Sequence, residues 1–137
     1  MTKTEKSFFK AAKAMSELSD HQQHKHGAVV VDKHRVISSG YNSLTKCNSL
    51  QAKIDEKRFG VPCRGCVHAE VSALLPLMKN GVDLRRASIF VYREHKDHSL
   101  AMSRPCPGCM GLIKSLGLKK IYYTVENGYA EEIVNKL

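Results

Sequence analysis

Ser88-Ile89-Phe90-Val91-Tyr92, then Pro105-Cys106-Pro107-Gly108-Cys109, then Lys119-Lys120-Ile121-Tyr122-Tyr123-Thr124-Val125 are the stretches that decide the fold. The first and last are short β-branched and aromatic runs that read as strands, with Tyr122 and Tyr123 facing opposite sides of a sheet. Between them Pro107 suits the first turn of a helix, where its missing N–H has no intrahelical partner. Leu112, Ile113 and Leu116 then form one buried stripe, and Gly117 fits the left-handed residue that ends a helix. Strand, crossover helix and strand place the two strands parallel in one sheet.

Upstream, Thr2 and Glu5 make a capping box, and Phe8, Ala11, Ala12, Met15 and Leu18 recur at helical spacing. A polar connector over residues 19–25 leads to Gly27-Ala28-Val29-Val30-Val31, a buried strand. Its hairpin partner is Val36-Ile37-Ser38-Ser39-Gly40-Tyr41, across a turn at 32–35. Residues 42–64 are polar, basic and weakly periodic, and are expected to form a lid. A helix is expected from Val67, with Val71, Ala73, Leu74 and Leu75 for packing, Pro76 ending or kinking it, and Gly81 marking a stop. Residues 131–137 fit a short helix or a fifth strand. The order predicts a single α/β domain over residues 1–137, a three-layer α/β/α architecture with a mixed sheet of four or five strands and helices on both faces.

The chemistry concentrates in His68-Ala69-Glu70 and in Cys106 and Cys109. Residues two apart in a helix interior face roughly opposite sides, so His68 and Glu70 share a site only at a helix N-terminus. Cys106 and Cys109 are neighbours on one helical turn, and the positive helix end favours thiolate, the form that binds zinc. Structural zinc sites close with four protein ligands, whereas His68, Cys106 and Cys109 are three and leave a position for water. Glu70 is then the proton shuttle. The competing arrangement is a four-cysteine structural site from Cys63, Cys66, Cys106 and Cys109. It leaves His68 and Glu70 without a role, so the open site is preferred.

Composition bounds the rest. Twenty-two basic and 13 acidic side chains give a net charge of +9, which implies anionic partners without choosing between nucleotides and nucleic acid. Lys3, Lys6, Lys10 and Lys13 read as a solvated helix face. A second basic cluster is Lys46, Lys53, Lys57, Arg58 and Arg64. No stretch approaches the ~18 apolar residues of a membrane span, and residues 1–10 lack the apolar run of a secretory signal. Five cysteines, in part as CxxC pairs, fit metal binding in a reducing compartment better than disulfides. A cytoplasmic protein without a membrane partner is expected. His21, His24 and His26 lack an accompanying carboxylate or cysteine and read as a solvated connector, with His26 packing at the strand start. His95 and His98 read the same way.

On H-x-E followed by P-C-x-x-C, the chain resembles the cytidine and deoxycytidylate deaminase superfamily over nearly its full length, and especially small phage and bacterial deoxycytidylate deaminase-like proteins. Gly40-Tyr41-Asn42 is similar to the G-Y-N of deoxycytidylate deaminases. The resemblance implies a cytidine-deaminase-like fold and zinc on His68, Cys106 and Cys109. It also implies substrate contacts from Asn42 and from the backbone around Ala69 and Pro105. The expected reaction is attack of zinc-bound hydroxide on C4 of a cytosine, most simply that of free deoxycytidylate. Alternatives are a cytosine deaminase of single-stranded DNA or RNA, a purine deaminase, and a noncatalytic zinc module. A homo-oligomer is expected. Three features depart from the family pattern: the insertion at residues 93–104, the additional Cys47, Cys63 and Cys66, read as free thiols of the lid in preference to ligands of a second zinc, and the short C-terminal end.

Overall fold

The computed structural model describes residues 1–45, 48–60 and 67–136. The expected hairpin is β1 (His26–Asp32) and β2 (Arg35–Tyr41), closed by Lys33 and His34 with φ of 51° and 62°. Such left-handed pairs give a turn whose twist matches the strands it joins. β1 also pairs antiparallel with β3 (Ser88–Arg93), β3 parallel with β4 (Lys120–Val125), and β4 antiparallel with β5 (Gly128–Ile133). The sheet order is β2-β1-β3-β4-β5.

Successive side chains of a strand point to opposite faces, and here both faces are covered. Ala28, Val30, Ile89, Val91, Ile121 and Tyr123 enter a core beneath α3 (Ala69–Lys79) and α4 (Pro107–Leu116). Val29, Val31, Phe90, Tyr92 and Tyr122 face α1 (Lys3–Ser16) instead. The split between Tyr122 and Tyr123 is the one expected from alternation. Phe90 and Tyr122, partners across the parallel pair, stack at 4.2 Å with rings 1° from parallel, and Phe9 of α1 meets Phe90 edge-on at 5.1 Å.

Four expectations need correction. Residues 42–64 are not simply a lid, because Ser49–Phe59 forms α2, capped by the Asn48 side chain and ended by Gly60 in the left-handed conformation. Its fully buried positions are Gln51 and Asp55, so apolar periodicity could not reveal it. Leu18 lies beyond α1 and is 60% exposed. Pro76 does not end α3, which continues to Lys79 without the bond that a residue-76 N–H would make to the Ser72 carbonyl. The fifth strand starts at Gly128, upstream of the expected segment, and a single 3-10 turn, Val134–Lys136, follows it. Cys47, Cys63, Cys66, Lys46 and Arg64 lie outside the described residues.

Two glycines set how closely the helices approach the sheet. A Cβ on Gly27 would collide with the Ala12 carbonyl oxygen of α1. On Gly40 it would lie 2.7 Å from the Ala69 carbonyl oxygen and 2.6 Å from the Ala73 nitrogen, both backbone atoms of α3. Gly40 thus lets the first turn of α3, which carries Glu70, rest directly on β2. Gly40→Ala is expected to lower stability by about 1–3 kcal/mol, the usual cost of overpacking. A shift of the urea midpoint at constant slope measures it, and an unchanged midpoint would show that α3 yields freely.

Candidate metal centre

Both motif residues that begin a helix do so as N-caps. His68 precedes α3 in an extended conformation (φ −82°, ψ 153°) and Cys106 precedes α4 likewise (φ −66°, ψ 165°). Neither side chain makes a capping hydrogen bond, although capping is the usual work of an N-cap side chain. They turn toward each other instead. His68 Nδ1 lies 3.3 Å from Cys109 Sγ and 3.6 Å from Cys106 Sγ, and all three ligand atoms fall within 4.8 Å of one another. Among the described residues this is the one histidine, cysteine and carboxylate cluster able to hold a metal.

The charges agree with a cation site. A hydrogen bond from the Cys109 thiol, followed by one from His68, holds Cys106 down to about 3, so it is a thiolate. Cys109 is pushed up by that bond to Cys106 and by burial, while His68 is raised chiefly by its bond to Cys106. Three groups thus compete for protons around one point, at the positive ends of two helices. One imidazole and two sulfurs match the donors zinc prefers, and three protein ligands leave a fourth position open. The residues present fit a zinc ion.

Glu70, on the first turn of α3, is 5% exposed, and burial raises its pKa against the opposing pull of His68. It lines a cavity of about 320 Å³ together with His21, His24, His26, Asn42, Ala69 and Cys106, and with Val67, His68, Ser103 and Arg104. Asn42 and Ala69 thus line the same cavity as Glu70. Pro105 is buried, and its neighbours Arg104 and Cys106 form the wall on either side of it.

Residues that motif reading passed over hold the centre in place. The buried Gln51 accepts a hydrogen bond from the His68 backbone N–H at 3.0 Å and donates to Asp55 at 2.9 Å, so α2 fixes the start of α3. Ser43 and Val67 form an isolated antiparallel bridge that brings Asn42 beside His68. Ser103 and Thr124 tie the approach to Cys106 onto the ends of β3 and β4: Ser103 Oγ donates to the Val91 carbonyl at 2.9 Å, and Thr124 Oγ1 to the Ala101 carbonyl at 2.6 Å. Polar residues carry no periodic signal, which is why spacing alone did not find them.

The histidines divide differently from the sequence reading. His95 and His98 sit on a small hairpin closed by a Glu94–Leu100 bridge and pair with Glu126 (2.9 Å) and Glu94 (3.0 Å), away from the cavity. His21, His24 and His26 are not a bare solvated connector, because all three line the cavity. Burial above all lowers the pKa of His26 to about 4, and burial followed by the Arg93 guanidinium lowers that of His24.

With this geometry in hand, the relatives are informative. The model of the cytidine and deoxycytidylate deaminase zinc-binding region matches residues 1–125. A deoxycytidylate deaminase of Mycobacterium phage D29 is 31% identical over 131 residues, covering 88% of this chain and 93% of its own length. The apo dCMP deaminase of cyanophage S-TIM5 superimposes with a TM-score of 0.66 at 25% identity, over 90% of this chain and 84% of the other. A cytidine deaminase from Burkholderia pseudomallei shares the fold, with a TM-score of 0.66 at 20% identity over 99% and 95% of the two chains. An open three-ligand centre beside a buried carboxyl, on this sheet and with these relatives, makes the chain a member of the cytidine and deoxycytidylate deaminase zinc-binding family.

Proposed function

We propose that the protein catalyses the hydrolytic deamination of free deoxycytidylate, converting dCMP to dUMP and ammonia. The observation that carries this reading is the convergence of His68, Cys106 and Cys109, the first two of which line a cavity that Glu70 also lines. The deoxycytidylate deaminase from phage D29 and the dCMP deaminase from cyanophage S-TIM5 support the choice of base and of a single phosphate.

His68, Cys106 and Cys109 hold zinc, which when bound lowers the pKa of a coordinated water toward neutrality. Glu70 receives a proton from the water that adds to C4 and delivers it to the adjacent ring nitrogen. It then carries the second proton to the exocyclic amine, so that the C4–N bond breaks and ammonia leaves. Its burial suits this cycle, because a carboxyl with a raised pKa both accepts and returns a proton readily. Asn42 and the backbone at Ala69 and Pro105 bracket the nucleotide.

A cavity of about 320 Å³ is at the small end of ligand sites. No Phe, Tyr or Trp lines it among the described residues, so it offers none of the aromatic platforms on which single strands stack. Free nucleotide is therefore preferred over polynucleotide. The whole chain acts as one catalytic domain. Two thiols required as ligands suit the reducing cytoplasm, where we place the protein. No helix among the described residues is long and apolar enough to cross a membrane. A homo-oligomer is part of the same proposal, motivated by Tyr129 and Ile133, which stand 44% and 40% exposed on the edge strand β5. Sedimentation equilibrium reads it directly.

Ammonia release from zinc-loaded protein, screened over free cytosine, adenine and guanine nucleotides, tests the function. The expected outcome is equimolar dUMP and ammonia from dCMP. Ammonia from a purine nucleotide and none from dCMP would replace the base assignment.

A further inference from the structure

We propose that His21 and His24 form a two-donor clamp for the 5′-phosphate of the substrate and so set the preference for a nucleotide over a nucleoside. The inference rests on the proposed function. A mononucleotide brings a dianion into a cavity that no lysine lines among the described residues, and Arg104, the arginine among them, is already matched. Arg104 donates to both carboxylate oxygens of Glu132, at 2.6 and 3.1 Å. Among the described lining residues, the histidines offer donors for the phosphate.

Hydrogen bonding fixes which ring nitrogen of each histidine carries its proton. Backbone N–H groups of Gln23 and His24 both donate to His21 Nδ1, at 3.2 and 3.0 Å, so that nitrogen is bare and the proton of the neutral ring is on Nε2. The Arg93 guanidinium, which can only donate, lies 2.7 Å from His24 Nδ1, so His24 also carries its proton on Nε2. His26 is the reverse: its Nδ1 lies 3.0 Å from the His24 carbonyl, which can only accept, leaving Nε2 bare. Of the three, His21 and His24 are therefore the pair with Nε2–H to give. Their ring centroids are 5.2 Å apart with planes at 57°, a spacing at which two donors can serve two oxygens of one phosphate.

The loop that carries them is held in shape. Asn42 Oδ1 accepts from the His26 backbone N–H at 2.8 Å and from Ser19 Oγ at 2.6 Å, while Asn42 Nδ2 donates to the His24 carbonyl at 2.6 Å. Behind His24, Arg93 also donates to the Met102 carbonyl, and its buried Nε has no hydrogen-bond partner among the described residues. A guanidinium in this position polarises the His24 Nε2–H toward an anion. The clamp thus places positive potential at the cavity through His21 and His24, backed by Arg93.

The test compares kcat/KM for dCMP and for deoxycytidine in the wild type, His21→Ala, His24→Ala, the double variant, and His95→Ala as a histidine outside the cavity. The wild type should favour dCMP. Each single variant should lose about tenfold or more on dCMP, the factor expected for one hydrogen bond to a charged group, with the loss chiefly in KM. Deoxycytidine turnover should stay within about twofold, and His95→Ala should match the wild type on both substrates. His24→Gln, whose amide can still donate, should recover part of the loss. Equal losses on both substrates would reduce the loop to a structural element and overturn the clamp alone. A wild type that turns over deoxycytidine as well as dCMP would overturn the clamp together with the preference for a phosphate. Absence of turnover on both would overturn the clamp and the proposed function together.

Discussion

Glu70→Gln is expected to keep its zinc and its fold while kcat for dCMP falls by about 10²–10⁴-fold, the range lost with a general acid–base group. Glutamine preserves the shape of a side chain that is nearly fully buried on the first turn of α3, so packing against β2 is undisturbed. What disappears is the proton-carrying capacity that burial tunes by raising the pKa. Elemental analysis and steady-state dUMP formation on the same preparation separate the two roles. Zinc lost in step with activity would make Glu70 a ligand and remove it from proton transfer.

Cys109→Ala should be more severe, taking zinc from about one per chain at this centre to near none and turnover to background. Cys109 Sγ is buried in the core beneath the sheet and lies 3.3 Å from His68 Nδ1, so no described side chain can replace it. The variant also leaves the Cys106 thiolate without the thiol bond that holds its pKa down to about 3, adding a cost to the apo protein. Zinc content by elemental analysis decides the matter. An unchanged content with His68 and Cys106 intact would break the three-ligand assignment.

The sequence made the centre legible, and most of the framework around it, for a physical reason. Helix starts bearing ligands must use particular residues, and strands covered on both faces must be continuously apolar, so His68, Cys106, Pro107 and the runs in β1, β3 and β4 are all visible without coordinates. The helix α2 escaped because its most buried positions are Gln51 and Asp55, satisfied by each other and by the His68 backbone, while its apolar Leu50 and Ile54 are only partly buried. β5 was misplaced because Glu131 and Glu132 interrupt an edge strand with charge; Glu132 is there to hold Arg104 and accept from Tyr123. The histidine loop was undervalued for a related reason. Its place at the cavity depends on Asn42, sixteen or more residues away in the chain, and such a pairing has no local signature.

Asn42, expected as a substrate contact, has a structural use as well. Both of its amide atoms are engaged in shaping residues 19–26, and the residue also lines the cavity. In the proposed function, one side chain serves both substrate binding and positioning of the loop.

The most direct test of the account is deamination of dCMP against deamination of a cytosine within a single-stranded oligonucleotide, each measured from low to physiological salt with the same zinc-loaded protein. An enzyme of free nucleotides, with a small cavity that offers no aromatic platform among the described residues, should favour dCMP and show only a shallow salt dependence. A polymer-binding enzyme would neutralise several phosphates, and its affinity would fall linearly on a log–log scale with a slope of about −0.7 per phosphate contact. Preferential turnover of dCMP is the predicted result; robust deamination of the oligonucleotide with none of any free nucleotide or nucleoside would contradict it.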